Sequence, residues 1–93
     1  MPYMTYDSEA DALYVYITDE RIVQQVEIHS VVVDLGTSGN VVGIEILSPA
    51  REDWPAADIL EAFSPSFSIT FADWFLRLSE RRGMFKELQT GLG

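Results

Sequence analysis

Residues 12–17 read Ala-Leu-Tyr-Val-Tyr-Ile, and residues 41–47 read Val-Val-Gly-Ile-Glu-Ile-Leu. Both segments alternate with a period of two, which in a β-strand sends successive side chains to opposite faces of a sheet. In the first, Leu13, Val15 and Ile17 share one face, and Ala12, Tyr14 and Tyr16 share the other. In the second, Val42, Ile44 and Ile46 share one face, and Gly43 and Glu45 lie opposite. Tyr14, Val15, Tyr16 and Ile17 are β-branched or aromatic, the residue types that fit a pleated, half-buried surface.

The segments around these two follow the same period. In residues 22–28, Val26 and Ile28 oppose Gln25 and Glu27; Val31, Val33 and Leu35 then oppose Val32 and Asp34. Residues 2–6 suit a short edge strand, with Pro2 at its start. Asp7-Ser8-Glu9-Ala10-Asp11 and Thr18-Asp19-Glu20-Arg21 read as turns, and Gly36-Thr37-Ser38-Gly39-Asn40 is a strong loop signal. The first half therefore predicts a five-stranded antiparallel β-meander. One of its faces is aliphatic; the other carries tyrosines and acids.

The aliphatic face needs a cover, and residues 49–93 supply the candidates. Ser48-Pro49 ends the last strand. Asp53 is a candidate helix N-cap with Pro55 in the first turn, and Ala56, Ile59, Leu60 and Phe63 recur at helical spacing. Ser64-Pro65-Ser66 breaks that helix. Thr70-Phe71-Ala72-Asp73 resembles a capping box. Phe71, Trp74, Phe75 and Leu78 form an apolar stripe, open to two readings: intramolecular core or dimer interface. Arg77, Arg81 and Arg82 suit a helix C-terminus, Gly83 a stop, and residues 84–93 a fraying tail. Phe67, Ile69 and Phe71 also alternate as a strand would; a loop leading into a helix from about residue 70 is the preferred reading. The fold class is α+β in a single domain, 1–48 forming the β core and 49–93 a helical extension of one or two helices, packed on the sheet or across a dimer.

Composition narrows the function. The 93 residues carry 15 acids against 6 bases, a formal charge of −9. Residues 1–50 hold eight acids and only Arg21 as a base. Phosphate contacts need Lys or Arg, so direct nucleic-acid binding is not expected. An acidic surface steers basic protein partners instead, or serves solubility. There is no cysteine, which excludes disulfides, thiol nucleophiles and Cys-ligated metals. No signal-peptide pattern and no run near 18 apolar residues is evident, so a cytoplasmic, non-membrane protein is expected. A chain this short with 47% apolar residues is expected to bury part of its surface in a homo-oligomer.

Two blocks, Tyr6-Asp7-Ser8-Glu9-Ala10-Asp11-Ala12-Leu13-Tyr14-Val15 and Gly39-Asn40-Val41-Val42-Gly43-Ile44-Glu45-Ile46-Leu47, resemble the motifs of the domain-of-unknown-function family 2283, in the family's order and spacing. The resemblance covers about residues 3–48. It implies a small β-rich module with no assigned activity. It also implies an antitoxin-like role, because some family members are thought to be encoded beside a small basic protein of toxin-like character. Residues 49–93 lie outside that pattern.

The candidate site residues are Tyr6, Asp7, Asp11, Tyr14, Gly43 and Glu45. Asp7, Glu9 and Asp11 alternate as D-x-E-x-D, a spacing that can converge on Ca²⁺. The rest of a calcium loop is missing, with Ala12 at its sixth position and Thr18 at its twelfth, so turn formation through Asp7 or Asp11 is the competing reading. Glu45 between two isoleucines is either a general base or the outward position of an alternating strand. Gly43 in a strand allows close approach of an aromatic ring. His29 lacks any ligand pattern and reads as a turn residue. Tyr3, Tyr6, Tyr14 and Tyr16 could form an aromatic platform. No phosphate-loop or serine-hydrolase motif occurs. The expectation is a non-enzymatic protein-interaction module without a cofactor. The alternatives are a carboxylate-based metal-binding protein or enzyme using Asp7, Asp11 and Glu45, and a structural subunit of a larger assembly.

Overall fold

The computed structural model describes residues 3–89. Five strands come first: β1 Tyr3–Asp7, β2 Ala12–Tyr16, β3 Ile22–Ile28, β4 Val31–Gly36 and β5 Val41–Leu47. Three helices follow, α1 Ala56–Ala62, α2 Ile69–Glu80 and α3 Arg82–Gln89, with a 3-10 turn at Ser64–Ser66 between the first two. The Pro2 start expected for β1 and residues 90–93 of the expected tail lie outside the described residues.

All strand pairs are antiparallel, in the order β1-β2-β5-β4-β3. Strands β3, β4 and β5 form a three-stranded meander, and the β1–β2 hairpin docks on the free side of β5. The chain thus crosses from β2 to the far edge through Ile17–Arg21. Three strand spacings are about 14 Å, which five residues span when extended at about 3.3–3.6 Å each. Two anchors hold this crossing. Ile17 and Thr18 donate their N–H groups to the Val42 carbonyl at 3.0 and 3.1 Å. Glu20 Oε1 accepts from Thr37 Oγ1, Ser38 N and Ser38 Oγ at 2.8–2.9 Å, tying the crossing to the β4–β5 loop. Those bonds hold the Glu20 carboxyl below its usual range.

The register puts the aliphatic side chains on one face. Leu13 pairs with Ile46 and Val15 with Ile44 on one side of β5; Val33 pairs with Ile44 and Val31 with Ile46 on the other. All six are fully buried, each contributing about 1.5–3 kcal/mol relative to exposure. At the start of β5 the strict alternation fails. The register shifts between Asp34 and Leu35, so Leu35 faces Val41 and Val42 is the extra residue. Val41, rather than the expected Val42, joins the core cluster.

Helices α1 to α3 roof this face. Phe71, Phe75 and Leu78 of α2 are buried in the core and Trp74 packs against it, so the stripe left open between core and interface is core. Residues 67–71 are no strand: Phe67 is extended and Ser68 caps α2, its Oγ accepting from Phe71 N at 3.1 Å. The cap is therefore Ser68 and not the expected Thr70. Asp53 caps nothing; α1 starts after Pro55 without a side-chain cap, and Asp53 instead pairs with Arg82 at 2.6 Å. The largest departure is at the end of the chain. Gly83 lies inside α3 rather than ending a helix, and Arg82 opens α3. Segment 84–89 is helical, not fraying, because Phe85 is fully buried against Tyr6 and Trp54. No helix among the described residues is long and apolar enough to cross a membrane.

Candidate functional site

Three of the six candidate residues, Tyr6, Asp11 and Tyr14, fall into two tyrosine–aspartate pairs, one on each face of the sheet, with Asp34 as the fourth member. On the helix-covered face, Tyr6 pairs with Leu13 in register and turns toward the core. Its hydroxyl donates to Asp11 Oδ1 at 2.7 Å and lies 3.3 Å from the Phe85 carbonyl. Asp11 is buried at φ 50°, a left-handed conformation that Asp tolerates better than most residues. Its carboxylate also accepts Ala50 N at 3.2 Å and Arg51 Nε at 3.4 Å, and its carbonyl accepts Ser48 N at 2.7 Å. The Asp11 carboxylate thereby joins β1 and the β1–β2 turn to the turn after β5, and Tyr6 extends the network to α3. Desolvation first, then the bond to Asp11, pushes the Tyr6 phenol up to about 12.

On the opposite face, Tyr14 of β2 reaches across β5 to Asp34 of β4. Its hydroxyl donates to Asp34 Oδ2 at 2.5 Å, and Gln25 Nε2 of β3 donates to Asp34 Oδ1 at 2.8 Å. Gly43 is the β5 residue beneath, paired with Tyr16 on one side and Asp34 on the other. A Cβ at Gly43 would lie 2.7 Å from Tyr14 Cζ and 2.8 Å from Cε1. Glycine is therefore required by the ring's path. Burial and the bond to Asp34 raise the Tyr14 phenol far above its ordinary value. Asp34, which sequence reasoning did not single out, carries this face. Its signal was an acid interrupting the run Val31-Val32-Val33.

The remaining acids stay apart. Asp7 Oδ1 accepts Glu9 N at 3.0 Å and Ala10 N at 3.2 Å, an Asx turn at the β1–β2 hairpin. Glu45 pairs with Tyr14 and Val32 on the uncovered face, while Asp11 is buried on the helix side. Asp7 and Glu45 border a shallow depression of about 250 Å³ that Asp11 does not line. No group of three or more His, Asp or Glu residues able to hold a metal ion occurs among the described residues. His29 occupies the two-residue β3–β4 turn at φ 55°.

The expected platform of four tyrosines is one of three. Tyr3 stacks on Tyr16 at 4.7 Å, and Tyr16 meets Tyr14 at 4.5 Å. Tyr6 is excluded because it stands an odd number of residues from Tyr3 and so faces the helices.

Residues 4–48 match the family described as "Protein of unknown function (DUF2283)". The sheet is similar to the DUF2283 family over this segment. Both motif blocks lie inside the match; the first supplies Tyr6, Asp11 and Tyr14 and the second Gly43, while Asp34 lies between the blocks. Helices α1 to α3 lie beyond the matched segment, yet they cover the sheet's aliphatic face. Comparison with curated proteins and with solved structures returned no match.

Proposed function

We propose that this protein is a non-enzymatic, cytoplasmic protein-interaction module that binds a small basic partner through the uncovered face of its sheet, in the manner of an antitoxin. The observation that carries the reading is the tyrosine–acid surface. Tyr3 and Tyr16 are 61% and 39% exposed on a face that no helix among the described residues covers, with Glu45 and Glu27 along the same side. Tyrosine faces beside carboxylates suit Lys and Arg, which bind the ring and the charge together. The motif residues Tyr6, Asp11 and Tyr14 support the same reading, since their polar groups are taken up by internal hydrogen bonds, Tyr6 to Asp11 and Tyr14 to Asp34.

The test is co-expression with the product of the neighbouring gene, then pull-down in low and high salt. Co-purification in low salt that weakens in high salt, and is lost in Tyr3→Ala/Tyr16→Ala, is expected. Absence of co-purification at either salt removes the partner reading. Self-association rests on the seven-residue edge strand β3, where Ile22 and Val23 are exposed. Light scattering after size exclusion at micromolar concentration tests it, and a clean monomer removes it.

A further inference from the structure

We infer that a cleft between the turn after β5 and the first turns of α3 binds a small, multiply charged oxyanion. The cleft has a volume of about 350 Å³ and is lined by Ala50, Arg51, Arg82, Gly83 and Lys86. The chain has six basic residues against fifteen acids. Three of the six line this one concavity.

Their arrangement is that of a prepared site. Arg51 is anchored through Nε to buried Asp11 at 3.4 Å and through one terminal nitrogen to Ser48 Oγ at 3.5 Å. Its side chain is nevertheless 65% exposed, and a guanidinium carries five N–H donors, more than these two bonds use. Arg82 is 41% exposed and shares an ion pair with the more exposed Asp53. Lys86, one helical turn further along α3, has no ion pair among the described residues. Arg51 is thus held at two points with N–H groups to spare, Arg82 shares an exposed ion pair, and Lys86 adds a charge with no ion pair among the described residues. Gly83 adds room along the lining: apart from its chain neighbours and its own helix backbone, no heavy atom lies within 4 Å of where its Cβ would sit. Two guanidiniums and an ammonium that has no ion pair among the described residues, around one concavity, fit an anion with several oxygens, a phosphorylated or polycarboxylate small molecule. A long polyanion is disfavoured by the acidic remainder of the chain. Asp53 occupies part of the charge the ligand would use and acts as its intramolecular competitor.

Isothermal titration calorimetry on the full chain, with pyrophosphate and separately with citrate, tests the site. Binding at about 1 mM or tighter is expected for at least one of them. Lys86→Glu is expected to weaken it about tenfold or more, because it places a like charge beside the ligand. Asp53→Asn is expected to tighten it about threefold, by releasing an exposed ion pair. Both side chains are exposed, and circular dichroism establishes that the variants fold. Tighter binding of pyrophosphate assigns a phosphorylated ligand; tighter binding of citrate assigns a polycarboxylate. No binding of either anion at 10-fold higher concentration, about 10 mM, overturns the inference. So does equal affinity in the wild type and both variants, or a shift in the same direction for both.

Discussion

The Tyr14 hydroxyl reaches Asp34 Oδ2 from two strands away, passing over the one residue of the intervening strand that has no side chain. The bond therefore exists only with Gly43 in place. Gly43→Ala is expected to destabilise the fold by about 1–3 kcal/mol through overpacking. In a Tyr14→Ala background the same change is expected to cost far less, because the obstructing ring is gone. Urea denaturation of the four proteins in this double-mutant cycle measures the coupling. Additive effects would refute the account.

Asp11 and Asp7 belong to the same motif but do different jobs. Asp11 is buried and holds Tyr6, Ala50 and Arg51. Asp7 is exposed and closes a turn. Asp11→Ala is expected to cost about 1–3 kcal/mol for each of the Tyr6 hydroxyl and the Ala50 N–H that it leaves without an acceptor, and Asp7→Ala about 1 kcal/mol or less. Equal costs in chemical denaturation would show that the motif is a turn signal alone.

Alkaline pH should weaken the fold. The Tyr6 phenol is raised to about 12 and the Tyr14 phenol is raised further. The unfolded chain loses these protons near its ordinary tyrosine value of about 10, while the folded chain retains them. The unfolded state then binds fewer protons, so stability falls with rising pH. It is fully present below about pH 10 and is lost progressively as pH rises towards and beyond the folded value for Tyr6. Thermal melts from pH 8 to 12 should show a falling Tm whose slope flattens in Tyr6→Phe/Tyr14→Phe. An identical slope in the double variant would contradict the pairing.

Helix α3 is integral to the fold. Phe85 is fully buried against Tyr6 and Trp54, so Phe85→Ala is expected to cost about 3–5 kcal/mol. Ile69 of α2 is 90% exposed, and Ile69→Ala is expected to change stability by no more than about 0.5 kcal/mol. If Phe85→Ala were as mild as Ile69→Ala in thermal and urea melts, α3 would be dispensable.

The start of α2 offers a smaller test. Ser68→Ala removes the bond to Phe71 N and is expected to cost about 1 kcal/mol. Thr70→Ala, at the position favoured by sequence pattern, is expected to cost less than about 0.5 kcal/mol. The reverse order would restore Thr70 as the cap.

Much of this was legible from local pattern. Alternation in 12–16 and 41–47 sets which side chains can share a face, since the two-residue period belongs to the backbone itself. The aliphatic face, the turn role of Asp7, and the closeness of a ring to Gly43 all follow from residue type and spacing. The bulge that brings Val41 into the core left no mark, because Val41 and Val42 are identical in side chain. The end of the chain misled for a related reason. Gly83 is a common stop, and an eight-residue helix has too few internal bonds to persist alone; Phe85 holds it in place through contacts with residues far away in sequence.

By itself, then, the order of residues determined a two-faced antiparallel sheet, an acidic exterior and an aromatic helical cover, because periodicity and charge are properties of neighbours along the chain. Tertiary structure alone decided that β5 lies between β2 and β4, that Tyr6 and Tyr14 serve opposite faces with different aspartates, and that Arg51, Arg82 and Lys86 meet around one cleft. These depend on pairing between distant segments, whose energy comes from burying surfaces and satisfying polar groups that no local window contains.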